Sequence, residues 1–138
     1  MRIKKEVITI LEQNKVQLAY IFGSYAKHEN NNYRDIDVAI YLDEADKMKR
    51  FDTKCFLSSV LMKYFQKSID IVILNDIKNL FLAYDIISEG KIILNKDDNL
   101  KILIESKLLH NFIDFRNSLI LNNLYPNDDK TLSNRKQN

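Results

Sequence analysis

Glycine is nearly missing from this chain of 138 residues: only Gly23 and Gly90 occur, where an average usage of roughly 7% would supply about ten. Chain reversals must therefore rely on Asn, Asp and Lys, and the glycines that remain mark places where the backbone demands one. Cysteine is scarcer still. Cys55 stands alone, which rules out an intrachain disulfide, argues against a cysteine-based zinc site and is consistent with a reducing compartment. Proline occurs once, at Pro126. No run approaches the roughly 20 apolar residues that a membrane span needs. The N-terminal MRIKKEVITILEQNK is charged throughout and has no apolar secretion-signal core. A cytoplasmic location without membrane contact is the expectation. An excess of one charge sign is lacking too. The 21 basic and 19 acidic side chains leave +2, too even a balance to point to nucleic acid or a membrane surface as a partner.

What is present is a core. Hydrophobic residues make up 46% and charged residues 29%, the balance of a soluble globular chain. The length fits one domain, expected over residues 1–121 with a core at 1–95, a C-terminal helix at about 98–121 and a polar tail at 122–138. The periodicity predicts a helix over 2–14, a buried strand over 16–22 and a short helix after Gly23 with Ser24 as its N-cap. ENNNY at 29–33 reads as a loop. Strict alternation predicts a strand over 35–42. It sends Ile36, Val38, Ile40 and Leu42 to one face and Asp35, Asp37, Ala39 and Tyr41 to the other. Residues 43–50 read as a charged turn and 51–65 as an amphipathic helix with Phe51, Leu57 and Leu61 on its apolar face and Cys55 as a packing residue. A third strand follows at 69–74, a helix at 77–88 closed by Gly90 as its C′ residue, and a short strand at 91–94. The last helix carries two apolar stripes. One runs through Leu100, Ile104, Leu108, Phe112, Phe115 and Leu119, the other through Ile102, Leu109, Ile113 and Ile120. One stripe suffices to dock on the core; the second is either deep core or a partner surface. His110, on this helix, reads as structural rather than catalytic.

Three acids and one glycine turn stand out. Asp35 and Asp37 share a strand face about 6.6 Å apart. Placing them together costs stability unless a cation sits between them. Mg²⁺ takes oxygen ligands and is held by one or two carboxylates plus substrate phosphates. Asp70 opens the next strand and can join them if that strand lies alongside; the bland alternative is an acid that caps a strand end. Gly23-Ser24 joins a strand to a helix start, where glycine allows close backbone approach and free N–H groups can meet a phosphate. The turn is not a Walker loop, because GSYAKH lacks the spacing and the terminal Gly-Lys-Ser/Thr.

Gly-Ser, ten residues, then Asp-x-Asp, with an apolar strand before and after and a third acid in SIDIVIL, resembles the signature of the polymerase-β-like nucleotidyltransferase superfamily. The short length is similar to its minimal nucleotidyltransferases, the MntA-type antitoxins. The likeness is strongest over 16–42 and 68–74 and looser over 77–94. It implies an α+β fold: a small mixed sheet backed by helices, with the acids on the open face and a C-terminal helix. By that resemblance Asp35, Asp37 and Asp70 are the catalytic and metal-binding carboxylates, and Gly23, Ser24 and Lys27 hold the nucleotide. Lys27 stands where many members have Arg, and Arg34 where a small Ser is common. The implied cofactor is Mg²⁺ with ATP as substrate. The implied reaction moves AMP to a tyrosine of a HEPN-type toxin ribonuclease, with the chain acting as antitoxin in a homo- or hetero-oligomer. A nucleotidyltransferase for a small molecule such as an aminoglycoside, and an antitoxin that blocks its partner by contact alone, are the other readings. Direct nucleic-acid binding is not expected, since no basic duplex-binding domain is present.

Overall fold

The computed structural model describes residues 4–23 and 35–124. Helix α1 (Lys5–Gln13) leads into strand β1 (Val16–Phe22). Strand β2 (Asp35–Leu42), helix α2 (Lys47–Phe65) and strand β3 (Ser68–Ile73) follow. A single 3₁₀ turn (Leu74–Asp76), helix α3 (Leu80–Glu89), strand β4 (Lys91–Asn95) and helix α4 (Asp98–Leu121) complete the order. The strands form one sheet in the order β3-β2-β1-β4. β1 runs antiparallel to both β2 and β4, and β3 is parallel to β2. The mixed α+β class read from the sequence is therefore the observed one.

Helices cover both faces of the sheet. On one face Val7 and Leu11 of α1, with Leu57 and Leu61 of α2, pack on Ile36, Val38 and Ile40 of β2 and on Ile69, Ile71 and Ile73 of β3. The strict alternation of β2 delivers its even-numbered residues to this layer. Leu57 and Leu61, four residues apart on α2 and both buried, close it, and truncating either to Ala should cost roughly 2–5 kcal/mol. On the other face Ala83 and Ile86 of α3, with Ile104 and Leu108 of α4, pack on Leu18, Tyr20, Phe22 and Ala39. The Tyr20 hydroxyl donates to Glu105 at 2.5 Å, and Lys101 pairs with Glu105 at 3.1 Å, so a polar contact fixes α4 over β1. Burial and the adjacent carboxylate push the Tyr20 phenol well above its ordinary range.

The structure corrects several expectations. The sheet face bearing the acids is not open along its length; α3 and α4 cover its middle. The charged turn is shorter than 43–50, because Asp46 accepts a hydrogen bond from Met48 N–H and starts α2 at Lys47. Cys55 is exposed rather than packed, and Phe51 is 53% exposed. Leu57 and Leu61 set the buried side of α2, and neither Cys55 nor Phe51 lies at helical spacing from them. Helix α3 begins at Leu80 rather than 77, since Asn79 accepts from Leu82 N–H. Gly90 ends that helix but not in the left-handed conformation, with φ at −67°. A Cβ there would run into the Ile86 carbonyl. Apart from Gly23, the left-handed conformations fall to Lys15, Gln66 and Asn123, reversals made without glycine. On α4 the first stripe buries Ile104, Leu108 and Phe112. The second leaves Ile102 59%, Leu109 37% and Ile113 41% exposed, so it is surface and not deep core. His110 faces solvent and pairs with Asp114 at 3.1 Å.

Candidate functional site

Register brings the acids together. Asp37 pairs with Asp70 across the parallel β2–β3 ladder and with Phe22 across the antiparallel β1–β2 ladder. Adjacent strands lie about 4.8 Å apart, so Asp70, Asp37 and the end of β1 form one row. Asp35, two residues back on β2, shares the Asp37 face. Helices α3 and α4 pack over the neighbouring Ala39 and Tyr41, and Asp35 and Asp70 are exposed. The carboxylates therefore sit on the uncovered end of an otherwise covered face.

Gly23 completes the row. Its φ is +75°, a conformation that L side chains adopt at a cost of roughly 1–2 kcal/mol. A Cβ at this position would collide with the Asp37 carboxylate. The backbone conformation thus favours glycine, and any side chain here would also have to displace the Asp37 carboxylate. Ser24 and Lys27, with Arg34 and His28, lie outside the described residues.

Electrostatics set Asp37 apart. Partial burial, then the Asp70 carboxylate, then that of Asp35, push its carboxyl above the ordinary carboxylate range. A group so placed gains from any cation that approaches. Among the described residues no three His, Cys, Asp or Glu side chains are grouped tightly enough to enclose a metal on their own. Mg²⁺ needs no such cage, since it keeps waters and shares its shell between one or two carboxylates and substrate phosphates. Asp35, Asp37 and Asp70 supply a donor set of that kind, all hard oxygen and all at an accessible sheet end. The fit is of chemistry.

Comparison with known proteins gives the class: a nucleotidyltransferase. Residues 5–99 match the family described as "Polymerase beta, Nucleotidyltransferase", and the chain belongs to it. Two proteins of Methanocaldococcus jannaschii are similar. The one named "Putative protein adenylyltransferase MJ0128" is 32% identical over 85 residues, covering 61% of this chain and 83% of that protein. The one named "Putative protein adenylyltransferase MJ0435" is 34% identical over 80 residues, covering 54% and 77%. Among solved structures, a mutant of the toxin–antitoxin pair MntA-HpeT superposes with a TM-score of 0.70 at 22% identity, covering 90% of this chain and 98% of that one. A toxin–antitoxin structure with AMP-PNP gives 0.69 at 22% identity, covering 86% and 95%. A tri-AMPylated Shewanella oneidensis HEPN toxin in complex with MNT antitoxin gives 0.62 at 23% identity, covering 86% and 92%. At these identities the structures establish the shared fold. Among the described residues no helix is long and apolar enough to cross a membrane.

Proposed function

We propose that this chain, with Mg²⁺, transfers AMP from ATP to a tyrosine hydroxyl of a HEPN-type toxin and acts as its antitoxin. The observation that carries the reading is the pairing of Asp37 with Asp70, with Gly23 held against Asp37. The names of the relatives support transfer to a protein. The structure with AMP-PNP supports an adenosine nucleotide, and the tri-AMPylated HEPN toxin supports a toxin acceptor. The exposed stripe of Ile102, Leu109 and Ile113 on α4 supports a protein partner, since contiguous apolar surface tends to mark contact sites.

Bound Mg²⁺ would neutralise triphosphate charge and polarise the phosphoryl oxygens. Asp35, Asp37 and Asp70 would hold the cation. Gly23 keeps the space beside Asp37 clear, and Ser24 and Lys27 grip the phosphates. The acceptor oxygen attacks the α-phosphorus and forms the new P–O bond. The bond between the α-phosphorus and the bridging oxygen breaks, and pyrophosphate leaves with the electron pair. Asp70 accepts the hydroxyl proton, a step that matters most in the transition state.

The test is incubation of the purified chain with ATP, Mg²⁺ and a purified HEPN-type toxin, followed by intact mass measurement and peptide mapping. The toxin should gain AMP on tyrosine, and Asp35→Asn with Asp37→Asn should gain none. A toxin silenced in the complex with no mass change would instead identify an antitoxin acting by contact.

A further inference from the structure

The two edges of the sheet are built differently. β4 carries Lys91 and Asn95 at its ends, and its pairing with β1 is broken by an irregularity between Ala19 and Tyr20. Charges and bulges are the usual protection of an edge strand. β3 has neither. Its sequence SIDIVI has no Lys, no Pro and no break in register, from Asp35–Ser68 through Ile40–Ile73. Its one charge, Asp70, belongs to the acid row. Among the described residues β3 pairs on one side only, so alternate N–H and C=O groups along it point away from the sheet. Ser58 meets the Ile69 carbonyl at 3.3 Å.

A groove of about 340 Å³ runs along this edge. Asp70, Ile71 and Ile73 line it from β3, and Lys47, Phe51 and Lys54 from α2. That volume is at the small end for ligand clefts and suits the side chains of a docked strand. Phe51, 53% exposed, offers an apolar platform. Asp76 also borders the groove, but its carboxylate is taken by Arg50 at 2.6 Å. Lys47 and Lys54 therefore set the charge along the wall, and Asp70 closes one end.

We propose that the β3 edge takes an extended acidic segment of the acceptor protein as a fifth strand and so leads its hydroxyl residue to Asp70. Backbone pairing supplies the grip, and the two lysines select acidic flanks. This deepens the proposed transfer to a protein and rests on it for the role of the docked segment. Binding itself is independent of turnover.

The experiment reads binding of a fluorescent peptide of alternating glutamate and valine with one tyrosine. A charge-swapped peptide, with lysine for glutamate, is the control. Anisotropy gives affinity, and amide hydrogen exchange locates the contact. The acidic peptide should bind and protect alternate β3 amides. N-methylation of its alternate amides should abolish binding. Lys47→Glu with Lys54→Glu should weaken it about tenfold, the worth of two exposed ion pairs, with ATP affinity unchanged. Lys47 is exposed and Lys54 half-buried, neither packs in the core, and a glutamate at Lys47, in the first turn, suits the helix dipole. Equal affinity for the two peptides, protection away from β3, or no binding at millimolar peptide would overturn the edge site. Binding of the peptide together with no AMP transfer to a purified HEPN-type toxin leaves the edge site standing and removes the proposed reaction. Transfer to a whole acceptor without peptide binding does the reverse.

Discussion

The two ends of β2 solve opposite problems. At its start Asp35, Asp37 and the paired Asp70 crowd like charge onto one sheet end, and the Asp37 carboxyl is pushed upward as a result. At its finish several polar groups are paired. Asn75 accepts from the Leu42 N–H and donates to the Leu42 carbonyl, each at 3.0 Å. Arg50 makes a two-armed pair with Asp76 at 3.0 and 2.6 Å and donates to the carbonyls of Glu44 and Ala45. One strand thus carries an end of crowded like charge, the proposed seat of cation and substrate, and an end whose polar contacts hold the fold. Real proteins concentrate such local conflict at functional sites.

The sharpest way to break this contrast is Asp37→Asn. It removes a repelled carboxylate, so the apo protein should become slightly more stable in urea. Transfer should fall at least roughly a hundredfold, because cation-based charge stabilisation is worth several kcal/mol. Retained transfer would show that the acid row is not the reaction centre. Asn75→Ala is the mirror experiment at the other end. It strands the Leu42 N–H and C=O and should cost about 1–3 kcal/mol, read as a lower urea midpoint, with transfer unchanged at permissive temperature.

The acid end was legible in the sequence and the paired end was not. Gly23, Asp35 and Asp37 stand at fixed spacing around an alternating strand, and alternation alone assigns faces. That Asp70 lies beside Asp37 follows once β3 is parallel to β2, which spacing permits but does not dictate. Nothing local ties Arg50 to Asp76 or Asn75 to Leu42, because those bonds join residues 26 and 33 positions apart. The faces of α2 were misread for a related reason. Phe51 and Cys55 look apolar in isolation, yet only the sheet decides which side of the helix is buried. The second stripe of α4 could not be assigned from its pattern; the exposure of Ile102 and Ile113 assigns it. Coverage of the acid-bearing face by α3 and α4 was also beyond reach, since it depends on how two late helices return over an early strand.

A smaller effect sharpens the account of the acid end. Gly23→Ala forces an L side chain into φ +75° and aims its Cβ at the Asp37 carboxylate. The conformational part alone is about 1–2 kcal/mol. The variant should therefore lose both stability and ATP affinity. The expectation from the turn alone, that glycine serves only phosphate approach, predicts loss of affinity without loss of stability. Calorimetric titration with ATP alongside a urea midpoint separates the two, and an unchanged affinity would count against a phosphate grip at this turn.

The finest comparison uses pH. Hydrogen bonds from Arg50 hold the Asp76 carboxyl below its ordinary range. A folded-state value below the unfolded one means that the group adds stability at pH above the unfolded aspartate value, near about 3.9. That stability is lost as pH falls through the lowered folded value. Asp37 has the opposite sign. Its folded value is raised, so its charge opposes folding above that value and the penalty is relieved as pH falls through it. Mild acid should then ease the acid end while the Arg50–Asp76 end still holds, and stronger acid should release the second. Asp76→Asn should lower stability at neutral pH and flatten the steep loss at the acid limit. Asp37→Asn should leave that loss intact and erase the milder gain before it. Urea midpoints for the apo protein across the acidic range distinguish these profiles. If Asp76→Asn leaves the acid limb unchanged, the ion pair does not couple to folding, and the paired end must owe its stability to Asn75 and the carbonyl contacts of Arg50.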